Sequence, residues 1–370
     1  MKVAIVHYWL NGMRGGEKVL ESLCRIFPDA DIYTHVYDRD RVSDVINRHS
    51  IQTTFISRFP QAIKRYQSYL PFMPIALEQL DLTGYDLVIS SESGPAKGIV
   101  TNPDAVHVCY CHSPMRYVWD MYYEYFRDAG RIKKLIGAPL IHYLKMWDYA
   151  SAARVDHFIA NSGYIAKRIG KLYRREAEVI NPPVDFDSFA PSDSVDDYYL
   201  VLGQLVAYKR ADLAVEAFIK SGRRLVVVGE GELEKQLKTL AAGAANIEFR
   251  GRQPFDEIQK LYAQCRALVF PGVEDFGIVP LEAMASGRPV IAYGRGGVLD
   301  SVIDGQTGLF FHEQTPDALN AAIQLFESGD INFEPEVMRE HARQFAVDVF
   351  EEKLKTSILE KLHDGAANKP

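Results

Sequence analysis

Two glutamates separated by seven residues, Glu274 and Glu282, bracket a phenylalanine, a glycine and a proline in the stretch FPGVEDFGIVPLEAMASGRPVI, residues 270–291. The apolar run at its start reads as a buried strand, and VPLEAMASG reads as a helix with Pro280 in its first turn and Gly287 past its end. The loop between them therefore feeds a helix N-terminus, whose partial positive charge and unpaired N–H groups suit a phosphate. Gly277 lets a ligand approach the backbone closely. Carboxylates on either side of such a phosphate can accept hydrogen bonds from hydroxyl groups. A nucleotide sugar has that layout: sugar hydroxyls, diphosphate, ribose hydroxyls. Taken alone, the pair would equally be a helix cap and a solvated glutamate.

Other charges supply what the glutamates lack. GQLVAYKRADLAVEAF, residues 203–218, sets Lys209 and Arg210 between a strand end and an amphipathic helix, where cations can reach a diphosphate from the opposite side. RGRQPFDEI follows a strand and offers backbone and Arg252 to a nucleobase, or is an ordinary strand-to-helix turn. VVVGEGELEKQL carries Gly229 and Gly231 of a dinucleotide fingerprint, but it lacks the third glycine and puts acids where a pyrophosphate would approach, so it is not an NAD site. In the first half, HYWLNGMRGGEKVLESL runs from a strand into a helix through Gly15 and Gly16, a turn whose N–H groups can face a ligand, with Arg14 beside it. VCYCHSPMRYVWDMYYEYF places His112 at a strand end, followed by Arg116 and Tyr117. Cys109 and Cys111 have no further Cys or His pair at metal-site spacing, so no metal is assigned to them.

These residues need a scaffold, and the apolar patterning supplies one. KVAIVHY, YDLVISS, AVHVCYC and VDHFIAN recur between helical patterns in the first half, and YYLVLG, RRLVVVG, NIEFRG, ALVFPG and RPVIAYG in the second. Unbroken runs without polar alternation suit parallel strands covered on both faces. The proline-rich stretch 179–197 reads as a connector. The fold expected is therefore α/β, two doubly wound Rossmann-like domains facing a cleft: residues 1–190, residues 191–345, and a C-terminal helix over 346–370 that can pack back on the first domain. PEVMREHARQFAVDVFEEKLKTSILEKL reads as amphipathic helix, and the tail HDGAANKP as frayed.

At 370 residues the chain is long enough for two such domains. Its net charge of −7 argues against general nucleic-acid binding. The charge is uneven: residues 1–190 hold 23 bases and 21 acids, leaving 19 and 28 for the rest, so the two halves are expected to meet different partners. No apolar stretch is long enough to span a membrane and no cleavage-site pattern is visible, which gives the expectation of a cytosolic, unprocessed chain. Four scattered cysteines, Cys24, Cys109, Cys111 and Cys265, are expected to be reduced. FISRFPQAIKRYQSYLPFMPIALEQL and RIKKLIGAPLIHYLKMW mix bases with aromatic and apolar residues over helix-length segments. They are either domain helices with snorkelling bases or a face for an anionic membrane.

EDFGIVPLEAMASGRPVIA, with LVAYKRADLAVEAF upstream and GGVLDSVIDGQTGLFF downstream, resembles the retaining glycosyltransferases of family four, which have the two-domain GT-B fold. In detail it is similar to bacterial mannosyltransferases that extend lipid-linked O-antigen and exopolysaccharide units. The resemblance implies that Glu274, Phe276 and Gly277, with Ile278 at the helix start, contact the donor sugar. It implies that Glu282 contacts the ribose, and that Lys209 with Arg210 contacts the diphosphate. It places His112 at the donor hexose near the reaction centre and the Gly15–Gly16 pair beside the donor phosphate and the acceptor. Arg14 could steer either one, and Arg14, Arg116 and Tyr117 are the residues expected on the acceptor side. Two positions depart from the family pattern: Gln204 stands where an arginine is usual, and Asp300 where a glutamate is.

The activity expected is hexose transfer, with mannose from GDP-mannose as the donor group, to a glycan or lipid-linked acceptor. No metal and no cofactor are called for, because fixed cations and helix dipoles would meet the leaving diphosphate. No carboxylate presents itself as a nucleophile, so attack from the face of the leaving group is favoured. A sugar-nucleotide epimerase of similar architecture and a non-catalytic nucleotide-sugar-binding protein are the rival readings.

Overall fold

The computed structural model describes residues 1–120 and 131–367. The chain divides into two units, one of Met1–Asn181 with Phe350–Pro370 and one of Pro182–Val349. The division at Asn181/Pro182 falls inside the proline-rich stretch, where prolines withhold the N–H groups a central strand needs.

The first unit is built on a seven-stranded sheet: β1 (Val3–His7), β2 (Asp31–Thr34), β3 (Ile51–Thr53), β4 (Leu87–Glu92), β5 (Val106–Cys111), β6 (His157–Ala160) and β7 (Ala177–Val179). The strands lie in the order β3-β2-β1-β4-β5-β6-β7 and every pairing is parallel. Alternate residues feed two separate cores. Val3, Ile5, Leu87 and Ile89 join one with Leu20, Leu23 and, from the C-terminal helix, Phe350, Leu354 and Ile358. Ala4, Val6 and Val88 join the other with Met115, Leu144 and Trp147. Both faces are covered, which is why these strands carry no polar alternation.

The second unit repeats the plan with six strands: β8 (Tyr199–Leu202), β9 (Leu225–Val228), β10 (Ile247–Gly251), β11 (Leu268–Phe270), β12 (Val290–Tyr293) and β13 (Gly308–Phe311). Their order is β10-β9-β8-β11-β12-β13. In each sheet the strand order reverses beside the unit's first strand, between β1 and β4 and between β8 and β11. Crossovers leave on opposite faces there, and the carboxyl ends of the two strands open a crevice, the usual ligand site of open α/β sheets.

Three details differ from the sequence reading. The segment 55–79 is not one helix but short turns of helix, Phe55–Arg58, Ala62–Arg65, Tyr66–Phe72 and Met73–Glu78, because Pro60, Pro71 and Pro74 interrupt it. The last pattern is split into Pro335–Arg343 and Val347–Ala367, since the backbone between them pairs elsewhere: Val184 donates to the carbonyl of Phe345 at 2.8 Å and bridges Ala346. The second of these helices runs through Ala367 rather than fraying at His363.

Candidate active site

In the second unit the loops after β8 and β11 meet at the point where the strand order reverses. Gly272 sits against the backbone of the first loop: a Cβ there would lie 2.6 Å from Lys209 Cα and 2.7 Å from Tyr208 O. Only glycine permits that approach, and it brings Lys209 Nζ to 2.9 Å from Glu274 Oε1. Both side chains are about one-fifth exposed, 19% and 18%, so the pair is shielded yet open to a ligand. Leu202, Gly203, Gln204 and Phe270 are among the residues that line a small pocket around them. Gly229 and Gly231 have a packing role here, since a side chain on either would overlap the carbonyl oxygen of Gly203 or Leu205.

Glu274 is held from its far side too, its carbonyl accepting the N–H of Gly297 at 2.9 Å. Asp300 follows one turn on, its N–H donating to Gly297 O at 3.0 Å. Beyond Glu274 the chain turns at Gly277, whose φ of 87° only glycine adopts without strain, and enters the helix Ile278–Ala285. Glu282 lies one turn in, and Tyr262 donates its hydroxyl to Glu282 Oε2 at 2.7 Å. Burial raises the Glu282 carboxyl above the ordinary range, against the lowering effect of that hydrogen bond. Tyr262, from the helix Phe255–Gln264, carries no motif of its own; only its place on the buried face of an amphipathic helix marked it.

Three expectations look different in three dimensions. Arg210 adopts the left-handed conformation at φ 53° and turns its Nε onto Asp212, 3.1 Å from each carboxylate oxygen, so it guards the start of the helix Ala211–Ser221 rather than standing unengaged beside Lys209. The Phe276 ring does not face a ligand: it is 3% exposed and lies in the core against Phe345, with ring centroids 5.9 Å apart. Only its backbone is left for a sugar. Arg252 and Gln204 are exposed, Arg252 just past the end of the edge strand β10, Gln204 two residues past β8, and Ile278 is half-buried against the core.

The first unit gathers its own set where β1 and β4 end. The helix Gly15–Ile26 begins at the glycine pair, with Arg14 and Gly15 exposed. Gly16 lies over Tyr8, and a side chain there would overlap the Tyr8 hydroxyl, so close packing alone requires a glycine at this position. His112 follows β5; its Nε2 is 2.9 Å from Ser91 Oγ, and its own N–H donates to the carbonyl of Glu92 at 2.8 Å. Burial pushes its imidazole down to about 3, with His7 adding to the effect, so it is neutral near pH 7. Arg116 and Tyr117 are half-buried in the turn that follows, between the buried Met115 and Val118.

Nearby, Lys97 is fully buried between Glu92 and Asp148. Asp148 also accepts from Trp119 Nε1 at 2.7 Å and from the Tyr173 hydroxyl at 2.8 Å. Trp119, in the aromatic run that follows His112, is thus tied down by this hydrogen bond. Residues 121–126 of the same aromatic run lie outside the described residues. Cys109 and Cys111 are buried on β5, and all four cysteines are unpaired. Among the described residues no group of three or more His, Cys, Asp or Glu side chains is placed to hold a metal ion, and no helix is long and apolar enough to cross a membrane.

Comparisons with known proteins agree with this architecture. The family description "Glycosyltransferase Family 4" matches residues 13–188, and "Glycosyl transferases group 1" matches residues 186–345. An alpha-1,3/1,6-mannosyltransferase, ALG2, of Dictyostelium discoideum is 43% identical over 289 residues, 64% of this chain and 66% of that protein. A GDP-mannose-dependent alpha-(1-6)-phosphatidylinositol monomannoside mannosyltransferase of Mycolicibacterium smegmatis is 28% identical over 237 residues, 55% of this chain and 61% of that protein. Matched segments span from about a third to about two-thirds of the length of such curated relatives. Among solved structures, Anabaena HepE in complex with UDP-glucose superposes with a TM-score of 0.70 at 16% identity, covering 97% of this chain and 100% of that one, a likeness of fold.

Proposed function

The chain belongs to glycosyltransferase family 4, and from that premise we propose that it moves a hexose, mannose from GDP-mannose, to a saccharide or lipid-linked acceptor with retention at the anomeric carbon. The observation that carries this reading is the 2.9 Å pair of Lys209 and Glu274 beside the N-terminus of the helix Ile278–Ala285. A cation, an anion and a helix N-terminus in one half-open mouth match a diphosphate flanked by hydroxyl groups. On donor binding Lys209 exchanges Glu274 for the diphosphate, and Glu274 turns to the hexose hydroxyls. Glu282, braced by Tyr262, takes the ribose. Mannose and GDP are supported by the names of the two mannosyltransferase relatives.

Chemistry then follows from charge. As the bond from the anomeric carbon to the diphosphate breaks, negative charge grows on the leaving oxygen, where Lys209 and the helix N-terminus meet it. The acceptor oxygen attacks from the same face, and its proton passes to the leaving phosphate oxygen. Glu274, engaged with hydroxyls, forms no bond to the sugar. His112 of the first unit is assigned to the hexose, and Gly15, Gly16, Arg14, Arg116 and Tyr117 to the phosphate and acceptor side.

The test is calorimetry with GDP-mannose and UDP-glucose, followed by transfer assays in EDTA. GDP-mannose should bind the more tightly and turnover should persist without divalent metal. Lys209→Ala should lower kcat by about 10²–10³, the range for removing one preorganised charge-stabilising donor, with an unchanged fold. No affinity for any nucleotide sugar, or full turnover in Lys209→Ala, would sink the reading. Release of an altered sugar nucleotide from donor alone would turn it into an epimerase.

An anionic membrane is the surface proposed for the acceptor's arrival. In the first unit Ile63, Phe72 and Ile75 are exposed beside the exposed Arg58, Lys64 and Arg65, and Tyr143, Met146 and Tyr149 are exposed on the helix Arg131–Ser151. Flotation with anionic and neutral liposomes tests it. Equal recovery from both would remove the membrane from the proposal.

A further inference from the structure

Behind His112 runs a line of polar side chains that the transfer reaction does not touch. Ser91 Oγ, near the end of β4, lies 2.9 Å from His112 Nε2 on one side and 3.0 Å from His7 Nδ1 on the other. His7 is completely buried, and its Nε2 has no hydrogen-bond partner. That nitrogen faces Glu17 Oε1 at 3.8 Å, and Glu17 is itself 1% exposed. The other oxygen of Glu17 accepts the N–H of Arg14 at 2.9 Å, which pins the carboxylate at the start of the helix Gly15–Ile26.

Proton counting along this line leaves one arrangement. A neutral imidazole has one N–H and one lone pair, and a serine hydroxyl has one proton to give. A separation of 3.8 Å is too long for a hydrogen bond. At that range in a buried site, however, a carboxylate still repels a ring lone pair and attracts an N–H. His7 therefore carries its proton on Nε2 and offers Nδ1 as acceptor. Ser91 must give its proton to His7, so it can only accept from His112. His112 then carries its proton on Nε2, and its Nδ1 is a bare lone pair.

We propose that Glu17, acting through His7 and Ser91, fixes His112 in the Nε2–H tautomer, so that Nδ1 accepts a hydrogen bond from a hydroxyl of the hexose. Glu17, His7 and Ser91 are positioning residues, and none of them touches the donor. The contact with the hexose rests on the placement of His112 given above, whereas the tautomer does not. A ring fixed as an acceptor selects a hydroxyl pointing at it and gains nothing from a carbonyl oxygen or a carboxylate at the same place.

Long-range ¹H–¹⁵N NMR on the full chain, labelled at histidine, separates protonated from bare ring nitrogens. The His112 signals are assigned by their loss in His112→Gln. The native chain should show His112 as Nε2–H. In Glu17→Gln, which is nearly isosteric, the amide can donate to His7 Nε2 and reverse every donor along the line, raising the Nδ1–H form of His112. Ser91→Ala should leave His112 a mixture of tautomers, and Ser91→Thr, which keeps the hydroxyl, should restore the native form. A native His112 with its proton on Nδ1 would overturn the proposal. So would a tautomer unmoved by Glu17→Gln in a folded chain. In transfer assays Ser91→Ala should cost about tenfold in kcat/KM, recovered in Ser91→Thr. A tautomer that moves as expected with no change in kcat/KM would overturn the hexose contact alone, and loss of donor affinity in the native chain would instead defeat the nucleotide-sugar reading.

Discussion

The two sheets share a strand order around the point of reversal, yet they place opposite kinds of polar groups there. In the first unit the groups are buried and mutually engaged: His7, Glu17 and Ser91 behind His112, and Lys97 between Glu92 and Asp148. In the second they are half-open, with Lys209 and Glu274 about one-fifth exposed and Arg210 one-third exposed, at 33%. Buried hydrogen-bonded networks hold a side chain in one orientation. Charges at a mouth can change partners when a ligand arrives. One fold thus supplies orientation on one sheet and exchangeable charge on the other, and the difference lies in burial rather than in topology.

Acid should break this comparison first. Burial holds the imidazoles of His35 and His107 down to about 4 and that of His112 to about 3, and all three belong to the first unit. A histidine depressed in the folded state is neutral there while the unfolded chain takes up a proton below about 6.5, so stability is lost as pH falls from 6.5 toward 4. Three such groups amount to roughly 4 kcal/mol for each pH unit in that window. Glu92, raised by burial, works in the other direction, one group against three. In the second unit Glu282 is raised by burial, while Arg250, Arg223 and Arg343 hold the carboxyls of Glu248, Glu327 and Asp348 low, so acid weakens that unit only below the ordinary carboxylate range, under the histidine window. Trp9, Trp119 and Trp147, the three tryptophans of the chain, all lie in the first unit. Tryptophan fluorescence should therefore report its unfolding at mildly acid pH while hydrogen exchange in 182–349 stays slow. Simultaneous loss of both would mean that burial of these histidines does not set the acid limit.

Phe276 sharpens the comparison from the other side. If its ring belonged to the mouth, Phe276→Ala would raise the donor KM and leave stability alone. Packed against Phe345, it should instead cost about 3–5 kcal/mol of unfolding free energy, with donor affinity altered little in the protein that remains folded. Thermal unfolding beside calorimetry separates the two outcomes.

The same residue shows where the sequence was readable. Long Val- and Ile-rich runs announced nine of the strands, because burial on both faces leaves an unmistakable pattern. DIYT, IQT, AEV and GLFF went unrecognised as β2, β3, β7 and β13, since none holds more than one Val or Ile, and β3 and β7, at the two edges of their sheet, are mostly exposed. Spacing found Glu274 and Glu282 because a loop feeding a helix is local. It could not say which way the Phe276 ring turns, since that depends on Phe345 far along the chain. Ser91 and His7 stand 84 residues apart and meet only because β1 and β4 are neighbours in the sheet. Tyr262 was likewise silent until the helix Phe255–Gln264 was seen to face Glu282.

The smallest expected effect tests whether the glycine turn of the first unit serves a ligand or its own packing. A methyl group at position 16 would overlap the Tyr8 hydroxyl, while the next ring atom, Tyr8 Cζ, would lie 3.3 Å away. Gly16→Ala should therefore cost about 1–3 kcal/mol, the usual range for overpacking a tight contact. Adding Tyr8→Phe removes the overlapping oxygen and should return most of that loss, which differential unfolding measurements on the single and double variants would read directly. If the double variant regains its stability but not its transfer rate, position 16 carries a requirement of the bound substrates as well. If it regains both, packing against Tyr8 accounts for the glycine, and the first unit's share of the chemistry narrows to the orientation of His112.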